Sequence, residues 1–591
     1  MKEIDKKITF AFAVAAVAIL AMAPATAVST EGTASDVLKK ISFGGSDYDE
    51  ITSIITVPDG LVAVGCSYNG SFGNGDWNTA SGAGLFDSFI VKLNNNGTVV
   101  WAENFGGSIG DVFYDVAATF DGGYVAVGYS DAFDGKWSER GITGNGISDA
   151  TIVKFNNDGS VAWAKNFGGS GIDAFNSVTA VPDGVIAVGE STIFDMDWTQ
   201  NGVTGKGYND ATIVKFNNDG SVAWAKNFGG SVVDTFKEVK AVSGGFVAVG
   251  YSEDFDGDWS GKGITGKGNR DATIVKFDNE GKPLWAKNFG GSDRDEFTSV
   301  TEVTGGYVAV GFTNKVDKDW AAKGVKAKGG YDATIVKFNI DGSVAWAKNF
   351  GGKGSDGFDS VIAVSGGFVA VGYSGSKSFG NGDWVGTTEK SADYDGTIVK
   401  FNNDGSVAWA TNFGSTGQNI FNSVAAAFDG YVAAGSSQIS GTDWAGVNGK
   451  GMIDGIIVKF DSGVVPVTDI TGVPSSVVIG TDLNLIGTVV PSGASEKTVT
   501  WSLKDAGETG ATLSGGTLSN TGVGNIIVTA TVVDGTASGD FVKDFTITVK
   551  ASDDSSGGGS SILWIGIIAV IAIVLIGAIV IVIKKKPSKG L

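Results

Sequence analysis

Apolar and polar positions alternate in a fixed order along most of this chain. Within residues 173–228, "NSVTAV", "VIAVGES", "ATIVKF" and "VAWAKNF" each read as a strand, separated in turn by "PDG", a loop of about 20 residues, and "NNDG". Asp-Gly and Gly-Gly pairs reach positive φ at little cost, so these turns join neighbouring strands as antiparallel hairpins. The stretch "GVIAVG" is apolar on both of its faces, which predicts a strand covered from both sides. A sheet held between two like sheets receives that cover, and radial repetition supplies it without long exposed edges.

The order recurs. "FGG" or a variant of it begins at Phe43, Phe105, Phe167, Phe228, Phe289, Phe350 and Phe413, with spacings of 62, 62, 61, 61, 61 and 63. The stretch "DATIVKFNNDGSVAWAKNFGG" at 149–169 is repeated letter for letter at 210–230. A tandem period of this length signals stacked units, none able to bury its apolar faces alone. The ends of the array specify how it finishes. The last copy stops after "GIIVKFDSG" at 455–463, lacking its "VAWAKNF" strand, while "VLKKISFGG" at 37–45 matches the missing piece. An open solenoid needs polar caps, whereas a ring takes its last strand from its start. The expected fold is all-β: residues 37–461 form a seven-bladed β-propeller of four-stranded blades, with the N-terminal strand closing the last blade.

The pattern W-A-K-N-F-G-G-S-x-x-D-x-F, then G-x-V-A-V-G-Y-S, then D-A-T-I-V-K-F-N-x-D-G resembles the seven-bladed propeller repeats of secreted and surface-anchored bacterial and archaeal proteins, over roughly 70% of the chain. WD40 and kelch patterns fit less well, and the sialidase-type Asp box is not seen. The resemblance implies a surface location and a recognition role, with no defined reaction.

After the ring, residues 465–550 carry short alternating strands and Gly-rich turns, and look like a bacterial immunoglobulin-like domain without the antibody-type cysteine pair. Residues 551–561 form a Ser/Gly linker with a span of about 17 Å. At the start, a lysine-bearing segment, an apolar run and "ATA" make residues 1–27 a signal peptide. Residues 562–583 are almost wholly apolar and, at 1.5 Å per residue, reach about 33 Å as a helix, enough to cross a membrane. Lys584, Lys585 and Lys586 follow, so residues 584–591 are expected to be a cytoplasmic tail. The expected localisation is the cell membrane, single-pass, with propeller and immunoglobulin-like domain outside.

Charge narrows the partners. The formal net charge is -21 and arginine occurs only as Arg140, Arg270 and Arg294, so no basic stripe exists for nucleic acid. There is no histidine, which removes Ser-His and Cys-His nucleophile systems and the common zinc triads. The single Cys66 lies in an apolar run and is expected to be buried. No cofactor and no catalytic residue is expected. The leading reading is a membrane-anchored surface protein whose propeller binds a protein or glycan partner at the cell surface. The alternatives are a purely structural envelope element, favoured by near-identical copies, and a polysaccharide hydrolase or lyase using carboxylates at the ring mouth. For the last, no polar pair unique to one blade stands out.

The two short turns of each blade fall on one face of the ring, and the "FGGSxxDxF" connection and the long loop on the other, where binding is expected. In that long loop Trp77, Trp137, Trp198, Trp259, Trp320, Trp384 and Trp444 are either fillers between blades or platforms for a ligand. A second set, Trp101, Trp163, Trp224, Trp285, Trp346 and Trp409, is expected to be filler. Asp49, Asp111, Asp173, Asp234, Asp295 and Asp356, with Asn419 in the last copy, are expected to hold a turn by accepting N–H bonds. So are Asp87, Asp149, Asp210, Asp271, Asp332, Asp395 and Asp454. Asp254, Asp256 and Asp258 are spaced as a calcium loop spaces its ligands. Asn69 and Asn96 lie in glycosylation sequons.

Overall fold

In the computed structural model of the chain, residues 37–552 are described, apart from 428 and 464. The expected signal peptide at 1–27, the apolar segment at 562–583, the tail at 584–591 and most of the linker lie outside the described residues. Among the described residues no helix is long and apolar enough to cross a membrane.

The repeat folds into four-stranded antiparallel sheets, seven among the described residues, each taking its strands in consecutive order except at the chain ends. The third is typical: Asp173–Val181, Gly184–Ser191, Asp210–Asn217 and Val222–Phe228. Its first turn is closed by Gly184, with φ at +152° and a backbone so near its neighbour that a Cβ would lie 1.9 Å from the Phe216 carbonyl oxygen. Only glycine fits there.

The apolar second strand explains how the sheets stack. In Gly184–Ser191, Val185 and Ala187 enter a core shared with the preceding sheet, through Val125, Val127 and Ile152. Ile186 and Val188, on the opposite face, enter a core shared with the following sheet, through Phe236, Phe246 and Trp259. Period-2 alternation therefore distributes one strand between two cores. Each fully buried large apolar side chain stabilises by about 1.5–3 kcal/mol, against about 1 kcal/mol net for a hydrogen bond, so apolar packing dominates the contact between blades.

First strands touch in sequence. Asp49–Val57 packs against Asp111–Ala118, and the series continues to Asn419–Ala427, which packs back against Asp49–Val57. The last sheet is completed by Val37–Phe43, antiparallel to Asp454–Asp461, with Ile41 opposite Ile457 and Phe43 opposite Gly455. The seam has its own core, in which Phe43, Trp77 and Phe89 meet Ala425, Val432 and Ile457. This closed order of repeated four-stranded sheets is a β-propeller.

Every first strand carries a bulge at one place: between Ile51 and Ser53, Phe113 and Asp115, Phe175 and Ser177, and at the matching positions of the other four. The skipped residue has no ladder partner, which frees its side chain from the sheet's alternation.

A second compact unit is built, among the described residues, from 470–488, 500–530 and 542–552. A mixed four-stranded sheet takes the order Ser476–Val478, Gly539–Lys550, Gly524–Thr536, Thr500–Asp505, and a three-stranded sheet comprises Leu483–Asn484, Thr517–Ser519 and Thr512–Ser514. Leu485 and Leu518 meet Ile526, Val528 and Ile547 in a core between them.

Candidate functional site

The residues that recur in every blade are spent on the fold. Asp111, at the start of its strand, accepts the Gly107 N–H at 2.8 Å and the Trp137 indole N–H at 2.9 Å. The same pairing joins Trp198 to Asp173, Trp259 to Asp234 and Trp320 to Asp295. Trp77 donates at 3.0 Å to Ser67 and Trp384 to Ser374. Among the described residues Trp444 has no acceptor for its N–H, since Asn419 occupies the carboxylate position and turns its Oδ1 to Ser437 and Ser415. All seven indoles are at most 2% exposed. The reading of these tryptophans as ligand platforms is corrected: each ring packs edge-on against a phenylalanine such as Phe105 or Phe167 and offers no face to solvent.

Burial raises the pKa of the aspartates in this network, to about 6 for Asp111, Asp173 and Asp234 and about 7 for Asp295, although the N–H and hydroxyl donors pull the other way. The second aspartate series caps the long loop. Asp210 accepts the Lys206 and Gly207 N–H groups and the Asn227 amide, and Asp271 and Asp332 repeat the arrangement. The other tryptophan series links blades at the periphery, with Trp101 donating to the Asn157 carbonyl at 3.1 Å and Trp163 to that of Asn218 at 3.0 Å.

The acidic loop is a belt between blades. Lys206 pairs with Asp258, Lys267 with Asp319 and Lys390 with Asp443, each at 2.8 Å, and Lys328–Asp383 and Lys450–Asp76 continue the series. The calcium-loop expectation is corrected on this ground. Asp258 is taken by Lys206 and the Gly229 N–H, and Asp254 accepts the Ser231 hydroxyl. No group of three or more acidic, cysteine or histidine side chains converges as a metal site among the described residues. Asn69 and Asn96 are exposed, and Cys66 is buried, its thiol pKa pushed upward by that burial.

What remains is the bulged position of the first strands, which lines the central channel. Just beyond the bulge, a collar of hydrogen bonds joins blade to blade: Ser53 donates to Asp115, and Asp115, Ser177, Ser299, Ser360 and Ser423 accept the N–H groups of Val178, Val239, Val361, Val424 and Ile54. At the bulge itself the pattern alternates. Thr52 donates to the Phe113 carbonyl at 2.6 Å, Asn176 to Phe236 at 2.9 Å, Thr298 to Phe358 at 2.7 Å and Asn422 to Ile51 at 2.9 Å. In the three blades between, the residue is Tyr114, Lys237 or Asp359, and none of the three makes that bond. A phenol, an ammonium and a carboxylate are thus released at one level of the channel, on the side of the long loops.

Other blade-specific groups gather around them. Glu50 accepts from Tyr48 at 2.9 Å and Asn422 at 2.8 Å, and Glu190 from Thr235 at 2.6 Å and Asn209 at 2.9 Å. Arg270 lies over the Tyr251 ring at 3.8 Å and pairs with Glu253 and Glu296. Lys237 lies over the same ring at 5.7 Å. Burial, then the charges of Glu296 and Glu50, push the Asp359 carboxyl up to about 7. Tyr114 stands beside Tyr129, their rings 5.6 Å apart. A cavity of about 350 Å³ lies here, lined by Thr52, Tyr114, Asn176, Glu190, Lys237 and Thr298. Toward the short-turn side a second space of about 680 Å³ is lined by the collar residues. In sequence no polar pair unique to one blade stands out, and the groups released here, Tyr114, Lys237 and Asp359, come one each from separate blades. The signal was a single column of the repeat, Thr52, Tyr114, Asn176, Lys237, Thr298, Asp359 and Asn422, which varies directly after a phenylalanine column broken only at Ile51.

No family model matches this chain. Over 307 residues it is 24% identical to the regulatory protein FlaEY of Caulobacter vibrioides, a match covering 48% of this chain and 30% of that relative, so the chain spans less than a third of the relative's length. Solved structures similar to it include the WD40 β-propeller domain of Doa1, at 12% identity over 72% of this chain and 97% of that one with a TM-score of 0.35. Sqt1 from Chaetomium thermophilum matches at 10% identity over 73% and 99%, with a TM-score of 0.38. The phage phi92 endosialidase matches at 10% identity over 89% of each chain, with a TM-score of 0.35. The propeller assignment rests on the order and contacts of the sheets, and no activity is carried across from these proteins.

Proposed function

We propose that this chain is a membrane-anchored surface protein whose seven-bladed ring is a binding module, with its site at the loop-side mouth of the channel. The observation that carries the reading is the release of Tyr114, Lys237 and Asp359 from a bonding pattern that their four counterparts keep. Positions that serve only the fold repeat; these differ in every chemical respect and stand at one level of the channel, where Tyr114 and Lys237 line the cavity. In this reading residues 1–27 direct export, residues 465–550 form an immunoglobulin-like spacer, residues 562–583 hold the chain in the membrane, and the ring faces outward. Recognition rather than turnover is assigned to the site, and the partner is a protein or glycan of the cell surface.

The test is binding of the full-length chain, purified in detergent, to envelope fragments of its own source cells. Tyr114→Ala/Lys237→Ala/Asp359→Ala removes no bond between blades, so the thermal midpoint is expected to hold while binding falls at least tenfold. Undiminished binding by the folded triple variant would overturn the reading. A purely structural ring, favoured by the identity of 149–169 with 210–230, gives no binding in either protein and a weakened envelope when the gene is deleted.

A further inference from the structure

The lining of the loop-side cavity narrows its ligand. Glu190 uses Oε2 for Thr235 and Asn209, leaving Oε1 as an acceptor. Asn176 spends its amide N–H on Phe236, leaving its oxygen. Thr52 and Thr298 donate to backbone carbonyls and retain lone pairs. Among the described residues Lys237 makes no hydrogen bond and retains three donors, and Tyr114 contributes a ring that is 36% exposed. The cavity thus presents acceptors and donors together beside an aromatic face.

Charge excludes the ionic ligands. Glu50, Glu190, Glu296 and Asp359 surround the mouth, while Arg270 is already engaged by two carboxylates, so an anion meets net repulsion. A metal cation meets the Lys237 ammonium in the wall, and among the described residues no three acidic side chains converge closely enough to ligate it. An apolar ligand would strand the free oxygens and the ammonium without partners, at a cost in each case. A neutral ligand dense in hydroxyl groups satisfies all of them, since each hydroxyl both donates and accepts. The volume of about 350 Å³ stands near the lower end for small-ligand sites, about 300–1,000 Å³, which suits one or two rings rather than a long chain.

We infer that the loop-side cavity binds the uncharged pyranose terminus of a glycan, with Tyr114 against the sugar face, Lys237 donating to ring or hydroxyl oxygens, and Glu190 and Asn176 accepting from sugar hydroxyls. This rests on the reading of the channel mouth as the binding site and adds the ligand class.

The full-length chain in detergent is applied to an array of mono- to trisaccharides ending in glucose, galactose, mannose, N-acetylglucosamine, glucuronic acid or glucosamine. Binding is expected to one or more of the neutral termini, about tenfold weaker or less in Lys237→Met and in Glu190→Gln, and retained in Lys237→Arg, which keeps the donors. Thermal midpoints equal to the parent's show that the variants are folded. Binding confined to the charged termini, no binding to any sugar, or neutral-sugar binding indifferent to both substitutions would overturn the assignment. If sugars do not bind but envelope fragments do, and the triple variant abolishes that, the ligand class fails and the mouth stands. If the triple variant binds fragments undiminished, the mouth itself fails.

Discussion

The Ser423 hydroxyl oxygen of the last blade accepts the Ile54 backbone N–H of the first at 3.2 Å, although 369 residues separate them in sequence. That bond is the last link of the collar, and the strand Val37–Phe43 lies at the same seam. Phe43 is 1% exposed, with ring centroids 5.1 Å from Trp77 and 5.3 Å from Phe89. Phe43→Ala is expected to cost about 3–5 kcal/mol, the range for a phenylalanine deleted from a packed core. Its equivalent Phe105→Ala, in the core between the first and second blades, should cost the same. Urea denaturation midpoints compare the two, and a near-neutral Phe43→Ala would mean that the ring is not closed there.

The tryptophan network supplies an internal control. Trp137→Phe removes the indole N–H from Asp111 and leaves a buried carboxylate oxygen short of a donor, a loss of about 1–3 kcal/mol beyond the change in ring size. Trp444→Phe removes an N–H that has no acceptor among the described residues. The loss of volume is common to both, so the smaller cost is expected at Trp444. Equal costs in chemical denaturation would show that the hydrogen bond contributes nothing.

Much of this architecture was legible in the chain itself. The double-sided apolarity of "GVIAVG" required a neighbour on each face, and the orphan "VLKKISF" announced its partner "GIIVKF", because a strand deficit at one end and an excess at the other have one common solution. The tryptophans were not placed, because a loop sequence does not state which way a side chain turns. Their steady co-occurrence with Asp111 and its counterparts, broken only where Asn419 replaces the acid, was the available clue. The channel groups were missed for a different reason. Tyr114, Lys237 and Asp359 lie on three separate blades, and only the recurrent bulge, invisible to hydrophobic periodicity, brings their column to one level.

The buried aspartates should set the response of stability to pH. Burial raises Asp111, Asp173 and Asp234 to about 6 and Asp295 to about 7, above the unfolded value of about 3.9. The folded state therefore holds protons that the unfolded state releases. The stabilisation this gives is fully present below about pH 4 and is lost as pH rises through about 6–7. Asp295→Asn removes one such group by the exchange already present at Asn419. The variant is expected to show a shallower fall in the denaturation midpoint between pH 4.5 and pH 7.5, by about one proton's worth. An unchanged slope would remove Asp295 as a contributor.

The ionic belt contains one reversal. At five other interfaces the ammonium comes from the earlier blade, as Lys206 does in reaching both Asp258 and the Asn227 carbonyl, and between the second and third blades the Asn145 amide takes its place on Asp197 at 2.8 Å. Between the first two blades the earlier residue is Ala83, and Lys136 of the later blade stands where Asp258 stands in its own, directing its ammonium onto Asn104, the counterpart of Asn227. The cation is kept and its origin exchanged. Lys136→Asp alone is expected to destabilise the ring by about 1 kcal/mol, since it leaves Asn104 without its ammonium and adds an unpaired charge. Adding Ala83→Lys should restore the midpoint by rebuilding the common arrangement. A double-mutant cycle at low and high salt reads the coupling directly, and strictly additive effects would mean that the belt holds no register between blades.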